Sequence, residues 1–165
     1  MNKQQTISKP VSLKGVGIHS GNEVNLTFKP ANEDFGYAFC RTDLPGKPII
    51  EADVNYVVST ERGTTLEKNG VNIQTSEHVL AALTGLEIDN VLIEIDSSEP
   101  PIMDGSSKFF VEALIDAGIE EQSKDRNEYV VKEIISYCKG FGFSIVEEIQ
   151  GLKENISFKL PKELR

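Results

Sequence analysis

A glutamate stands directly before a histidine in Gln74-Thr75-Ser76-Glu77-His78-Val79, where the preceding residues have helix N-cap chemistry and the following ones begin an apolar stripe. The chain holds only two histidines, His19 and His78, so any chemistry that needs imidazole must use one of them. In the first turn of a helix the positive end of the dipole disfavours imidazolium and favours the neutral form that binds metals. Successive helical residues point about 100° apart, so Glu77 and His78 diverge, yet both can face one metal-bound water. A metal-ligating histidine beside a carboxylate base is the arrangement for metal-assisted amide hydrolysis. The metal polarises the carbonyl and brings its water's pKa toward about 7, and the carboxylate takes the proton. Against this stands a plainer reading, in which an acidic residue in a helix's first turn simply answers to the dipole. A catalytic zinc normally takes three protein ligands, and the neighbouring residues offer one. Spacing alone therefore leaves an α+β domain with a candidate pair.

The elements that must position this pair are mostly strands. Val11 and Leu13, then Val24, Leu26 and Phe28, alternate with polar residues, and Gly15-Val16-Gly17-Ile18-His19-Ser20-Gly21 punctuates the two runs. Tyr37 to Arg41 reads as a third strand, ended by Leu44-Pro45-Gly46-Lys47-Pro48. Extended segments follow at Ile49 to Val58 and Thr64 to Glu67, and Asn69-Gly70 turns the chain into Val71-Asn72-Ile73. A helix over about 76–86, with Thr75 or Ser76 as N-cap, carries Val79, Leu83 and Leu86 on one face. Asn90 to Asp96 is a β-branched strand, with Val91, Ile93 and Ile95 on one side and Leu92 on the other. A second helix over about 106–117 turns Phe109, Phe110, Ala113, Leu114 and Ala117 inward and ends at Gly118.

Gln122 to Glu128 reads as a polar linker and Tyr129 to Tyr137 as a new strand. Phe143 to Leu152 has weak helical periodicity, and Ile156 to Leu160 reads as one more strand. Two helices among several strands, without regular βαβ alternation, predict an α+β fold: a two-layer sandwich of helices packed on one face of a mixed β-sheet. The expected core includes Leu83, Leu86, Ile93, Ile95, Phe109 and Leu114. The expected division is 1–124 for the first domain and 125–165 for a linker and the incomplete start of a second, whose unpaired strand edges predict self-association.

Composition narrows the partners. A net charge of −9 and a pI of about 4.8 argue against a nucleic-acid partner, which needs a concentrated basic face. A phosphorylated small molecule needs only one or two placed cations and stays compatible. No apolar run approaches the length of a transmembrane helix, and the N-terminus lacks the apolar core of a secretory signal, so a cytoplasmic location is the expectation. Cys40 and Cys138 match no metal or redox spacing and read as reduced thiols.

Five segments occur in one order: Gly15-Val16-Gly17-Ile18-His19-Ser20-Gly21; Arg41-Thr42-Asp43-Leu44; Thr75-Ser76-Glu77-His78-Val79-Leu80-Ala81-Ala82-Leu83; Gly85-Leu86-Glu87-Ile88-Asp89-Asn90; and Glu99-Pro100-Pro101-Ile102-Met103-Asp104-Gly105-Ser106. Together they resemble the first domain of the UDP-3-O-acyl-N-acetylglucosamine deacetylases over residues 1 to about 137. The resemblance implies zinc-dependent removal of the N-acetyl group from an acylated UDP-sugar, without a covalent intermediate, in the lipid A biosynthesis of a Gram-negative-type bacterium. It implies two domains with the active site between them, His78 as a zinc ligand and Glu77 as the general base. His19 then corresponds to a position at the edge of the site, the alternative being a turn residue bonded to nearby backbone. Thr60-Glu61-Arg62-Gly63-Thr64 matches an insert near the acyl and sugar region, where Arg62 contacts substrate or is a solvated loop arginine.

The family's other two zinc ligands are a second-domain histidine and an aspartate four residues later. A lysine beside that histidine and a further catalytic histidine also lie in the second domain. No histidine follows His78 here, and residues 138–165 read as a poor fit to the family. The expectation is an incomplete N-terminal part, inactive alone, that takes its remaining zinc ligands from a missing C-terminal half. The alternative is a non-catalytic vestigial or nucleotide-sugar-binding module of the same fold.

Overall fold

A computed structural model describes residues 2–126, and beyond them the backbone of two strands, 135–139 and 142–146. The chain divides into two compact units, Met1–Arg126 and Asn127–Arg165. In order, the first contains β1 (Lys3–Ile7), β2 (Val11–Val16), β3 (Glu23–Pro30), β4 (Tyr37–Arg41), β5 (Ile49–Glu51), a 3-10 turn (Val54–Tyr56), β6 (Val57–Ser59), β7 (Thr65–Lys68), β8 (Val71–Ile73), α1 (Glu77–Gly85), β9 (Val91–Ile95), α2 (Lys108–Ala117) and β10 (Ile119–Asp125). In the second unit β11 (Ile135–Lys139) pairs antiparallel with β12 (Gly142–Val146).

The main sheet has five strands in the order β2-β3-β9-β4-β5, with β4 and β9 parallel and the other neighbours antiparallel. Its register explains the alternation in the sequence. Leu26 pairs with Ile95 and Phe28 with Ile93, Phe39 lies beside Ile93 from the other side, and Ile50 pairs with Phe39. These side chains form one wholly buried row. On the opposite face Lys29 and Glu94 make an ion pair, the polar side of a half-solvated sheet. The helices pack against each other, and their buried residues share one core with the apolar row; Phe28 and Phe110 meet edge to face, with ring centroids 6.3 Å apart. The result is the mixed α+β sandwich that the pattern predicts.

The hairpin at Asn69-Gly70 forms as expected: both residues have positive φ, 52° and 78°, and Lys68 pairs with Val71. β6, β7 and β8 make a separate antiparallel sheet whose Leu66 and Ile73 reach the main core.

Several expectations need correction. Phe109 and Phe110 are neighbours on α2, so only one can face inward. Phe110, Leu114 and Ala117 form the buried stripe at i, i+4 and i+7, whereas Phe109 is 38% exposed. Phe109 instead lines a surface groove of about 390 Å³ with Lys14, Val16, Ile102 and Met103. Leu86 is only half-buried because it caps α1 rather than lying within it. α2 starts at Lys108, two residues later than expected, because Asp104 folds Ser106 into a turn through its backbone N–H and hydroxyl.

Lys3–Ile7 carries no strand signal strong enough to stand alone, yet it pairs with β10, which takes in most of the supposed linker from Gln122 onward. Pairing hides backbone groups that the polar side chains could not bury by themselves. In the second unit 142–146 is strand where helical periodicity was expected. The Ile156 to Leu160 strand and most of Tyr129 to Tyr137 lie outside the described residues.

Candidate functional site

α1 begins at Glu77, so Glu77 and His78 are its first two residues. The chain enters the helix through Thr75 at φ 52°, a left-handed conformation that is unfavourable for a β-branched side chain. Neighbouring loops hold it there. The Thr75 hydroxyl donates to Glu99 Oε1 at 3.0 Å, Gln74 N donates to Ser98 O at 2.8 Å, and Ser76 N donates to Thr64 O at 3.2 Å. Ser76 is the N-cap in position, but its hydroxyl caps nothing; it donates to Thr64 O at 3.1 Å. The first turn of α1 is thus clamped between the 60–64 loop and the 97–99 loop.

The same loop reaches Glu77. Thr64 N donates to Glu77 Oε2 at 2.9 Å, while Oε1 makes no hydrogen bond to a described residue. A Cβ placed on Gly63 would lie 3.3 Å from Oε1, so the loop backbone passes close beside the carboxylate. His78 is half-buried, and its ring makes no hydrogen bond to any described residue. Its carbonyl accepts from the Ser107 hydroxyl at 2.9 Å, which ties the start of α2 to the start of α1. Arg62 is exposed on the 60–64 loop, at φ 60° and two residues before Thr64.

His19 lies on the glycine-rich turn, and its ring meets a residue the sequence reading passed over. Glu99 is 0% exposed and receives four donors. His19 Nδ1 lies 2.8 Å from Oε1, which also takes the Thr75 hydroxyl; His19 N and Ser20 N donate to Oε2 at 3.0 and 2.9 Å. Burial pushes the Glu99 carboxyl up, but the Ser20 N–H, the His19 ring, the Thr75 hydroxyl and the His19 N–H together hold it below the ordinary glutamate range. Gly17 makes this possible, since a Cβ there would sit 2.6 Å from Glu99 Oε2. The His19 ring thus bonds a buried side chain rather than nearby backbone, and the shared carboxylate links it through Thr75 to the lead-in of Glu77-His78.

Two other motifs are structural. Arg41 grips Asp43 through two bonds, Nε to Oδ1 at 2.9 Å and a terminal nitrogen to Oδ2 at 2.7 Å, and donates to Asn72 O at 2.9 Å. This joins β4 to β8, and the Arg41 guanidinium holds the Asp43 carboxyl below its usual range. Asn90, 1% exposed, donates to the side chains of Gln4 and Gln122 at 2.8 Å each and accepts from Gly36 N at 2.9 Å.

An imidazole nitrogen is a donor of the type zinc prefers, so the His78 ring fits one position of such a site. Among the described residues no three of His, Cys, Asp or Glu are grouped to enclose a metal ion. What the fold and site define is a helix-on-sheet α+β domain presenting, at a clamped helix N-terminus, a carboxylate and an imidazole that bonds none of the described residues.

The sequence model of the family described as "LpxC: UDP-3-O-acyl N-acetylglycosamine deacetylase" matches residues 4–164, and the chain belongs to that family. The match runs well past residue 137, so the segment 138–164 belongs to the family resemblance after all. A UDP-3-O-acyl-N-acetylglucosamine deacetylase of Ruthia magnifica is 43% identical over 156 residues, covering 94% of this chain and 51% of that protein. A like-named protein of Bdellovibrio bacteriovorus is 40% identical over 158 residues, 96% of this chain and 52% of its own length. A bifunctional enzyme LpxC/FabZ of Chlorobaculum tepidum is 48% identical over 134 residues, 81% of this chain and 29% of that protein. The chain thus spans about half the length of the curated deacetylases and less of the bifunctional relative.

Proposed function

We propose that this chain provides the general base and one zinc ligand of a deacetylase that removes the N-acetyl group of UDP-3-O-acyl-N-acetylglucosamine in lipid A biosynthesis. The observation that carries the reading is the start of α1: Glu77 is held on one oxygen by Thr64 N, and the His78 ring is left without a protein partner among the described residues. The family membership and the relatives' names supply the substrate class. Zinc, when bound, supplies Lewis-acid polarisation of the acetyl carbonyl and acidifies the attacking water.

His78 would hold the metal through its ring. Glu77 takes the proton of the attacking water on Oε1, the oxygen that Thr64 leaves free, and returns it to the departing sugar amine. The Thr64 N–H bond keeps the carboxylate from turning away during both transfers. Arg62, exposed on the loop beside Glu77, meets an anionic or hydroxyl group of the substrate in this reading. His78 alone cannot enclose a tetrahedral ion, so the remaining ligands come from the C-terminal half of the family fold. The work is cytoplasmic in this reading, and no helix among the described residues is long and apolar enough to cross a membrane.

The test is reconstitution. The 165-residue chain alone should bind zinc weakly and lose it on dialysis. Co-expression with the C-terminal half of the Ruthia magnifica relative should restore retained zinc and deacetylation. In that assembly His78→Ala abolishes metal retention, whereas Glu77→Ala keeps zinc and lowers kcat by about 10²–10⁴-fold. Stoichiometric, dialysis-resistant zinc in the monomeric chain alone, or full activity of the Glu77→Ala assembly, overturns the reading. A reconstituted assembly that binds the UDP-sugar without turnover would favour the non-catalytic module instead.

A further inference from the structure

The Glu99–His19 contact has a feature that ordinary turn chemistry does not require. A buried carboxylate is costly unless its lone pairs are filled, and here donors supply both oxygens: the Thr75 hydroxyl and the His19 ring on Oε1, two backbone N–H groups on Oε2. Every one of these partners must give a hydrogen, because an ionised carboxylate has none to offer. The 2.8 Å contact at His19 Nδ1 is therefore satisfied only by an Nδ1–H. The other ring nitrogen, Nε2, has no partner among the described residues, and the ring is 45% exposed.

We infer that Glu99 is a positioning residue: its buried carboxylate fixes the neutral His19 ring in the Nδ1–H tautomer and leaves Nε2 as an outward hydrogen-bond acceptor at the rim of the site. A solvent-exposed histidine side chain in water prefers the opposite tautomer, with the proton on Nε2, so the fold reverses the default. The chemical consequence is selective. A neutral Nε2 with an open lone pair accepts from a hydroxyl, an amine or a water, and offers nothing to a phosphate oxygen. His19 then matches a sugar hydroxyl or the amine left after deacylation. That part rests on the deacetylase reading, whereas the tautomer does not. The same carboxylate orients Thr75, whose hydroxyl also lies 3.4 Å from His19 Nδ1, so the ring and the lead-in to α1 share one anchor.

The experiment is long-range ¹H–¹⁵N correlation on the ¹⁵N-labelled 165-residue chain, above the titration of the ring as measured in the same series. His78→Gln assigns the His19 signals by elimination. In the unaltered protein His19 should show a protonated Nδ1 and a pyridine-like Nε2. Glu99→Gln should move the population toward the Nε2–H form, with the dispersed amide spectrum of the core retained. An Nε2–H tautomer in the unaltered chain overturns the inference, and this measurement stands even where Glu99→Gln does not fold. A folded Glu99→Gln that keeps Nδ1–H overturns it equally. Neither result depends on zinc or turnover, so a failed deacetylase reading leaves the tautomer result intact, and the reverse.

Discussion

Thr64 N lies 2.9 Å from Glu77 Oε2, so the carboxylate next to His78 is fixed by a residue that leads into β7 of the separate three-stranded sheet. The bond works in both directions: it orients Glu77, and it fastens the loop carrying Arg62 to α1. Removing the acceptor should free the loop. A hydrogen bond to a charged group contributes about 1.5–3 kcal/mol, so Glu77→Ala should speed exchange of the Thr64 amide by about tenfold or more. Glu77→Gln keeps an acceptor oxygen and should change exchange much less. Equal acceleration in both variants would show that this bond does not hold the loop.

Phe109 and Phe110 are adjacent on α2 but differ sharply in burial. Phe110 is buried against Phe28, so Phe110→Ala opens a cavity and should cost about 3–5 kcal/mol. Phe109 lines an open groove, and Phe109→Ala should cost under about 1 kcal/mol. Urea unfolding of the two variants decides it. Similar losses would mean that α2 is rotated from the orientation described.

Asn90 holds three segments at once, through Gln4 on β1, Gln122 on β10 and Gly36 N ahead of β4. Asn90→Ala leaves buried amide groups without partners, each worth about 1–3 kcal/mol. A loss of about 2–4 kcal/mol is expected, with the β1–β10 pair exchanging its amides first. A loss under 1 kcal/mol, or exchange beginning in the main sheet, would contradict this account.

Much of the fold was legible because its signals were local. Leu26 and Phe28, Ile93 and Ile95, and the Asn69-Gly70 turn announce themselves within a few residues. Glu77-His78 was legible by residue type and by its place after an N-cap run. Glu99 was not. A glutamate before Pro100-Pro101 carries no local sign of burial, which arises only when the turn around Gly17 folds over it from eighty residues away. The pairing of β1 with β10 was hidden for the same reason: their polar side chains give no periodicity, and the stabilisation comes from backbone bonds across the whole length of the domain. The Phe109–Phe110 choice needed the helix phase, which Leu114 and Ala117 fix only once the start of α2 is known.

Acid should reveal Glu99 from the stability side. Burial raises its carboxyl pKa, but the bonds from Ser20, His19 and Thr75 outweigh burial, so the folded value lies below the unfolded one of about 4.3. A group depressed in the folded state contributes stability that is complete above its unfolded pKa and is lost as pH falls through its folded pKa. Asp43, held down by Arg41, adds to the same loss. The melting temperature should therefore be level with respect to these carboxylates above about pH 5 and fall below about pH 4. Glu99→Gln cannot titrate, and it turns an amide N–H₂ toward groups that are themselves donors. Its melting temperature should be lower than that of the unaltered chain at neutral pH, and the gap should narrow as acid protonates Glu99 in the latter. Thermal melts from pH 7 to pH 3 read both features. A gap that stays constant through the acid range would mean that Glu99 is not held ionised in the folded protein.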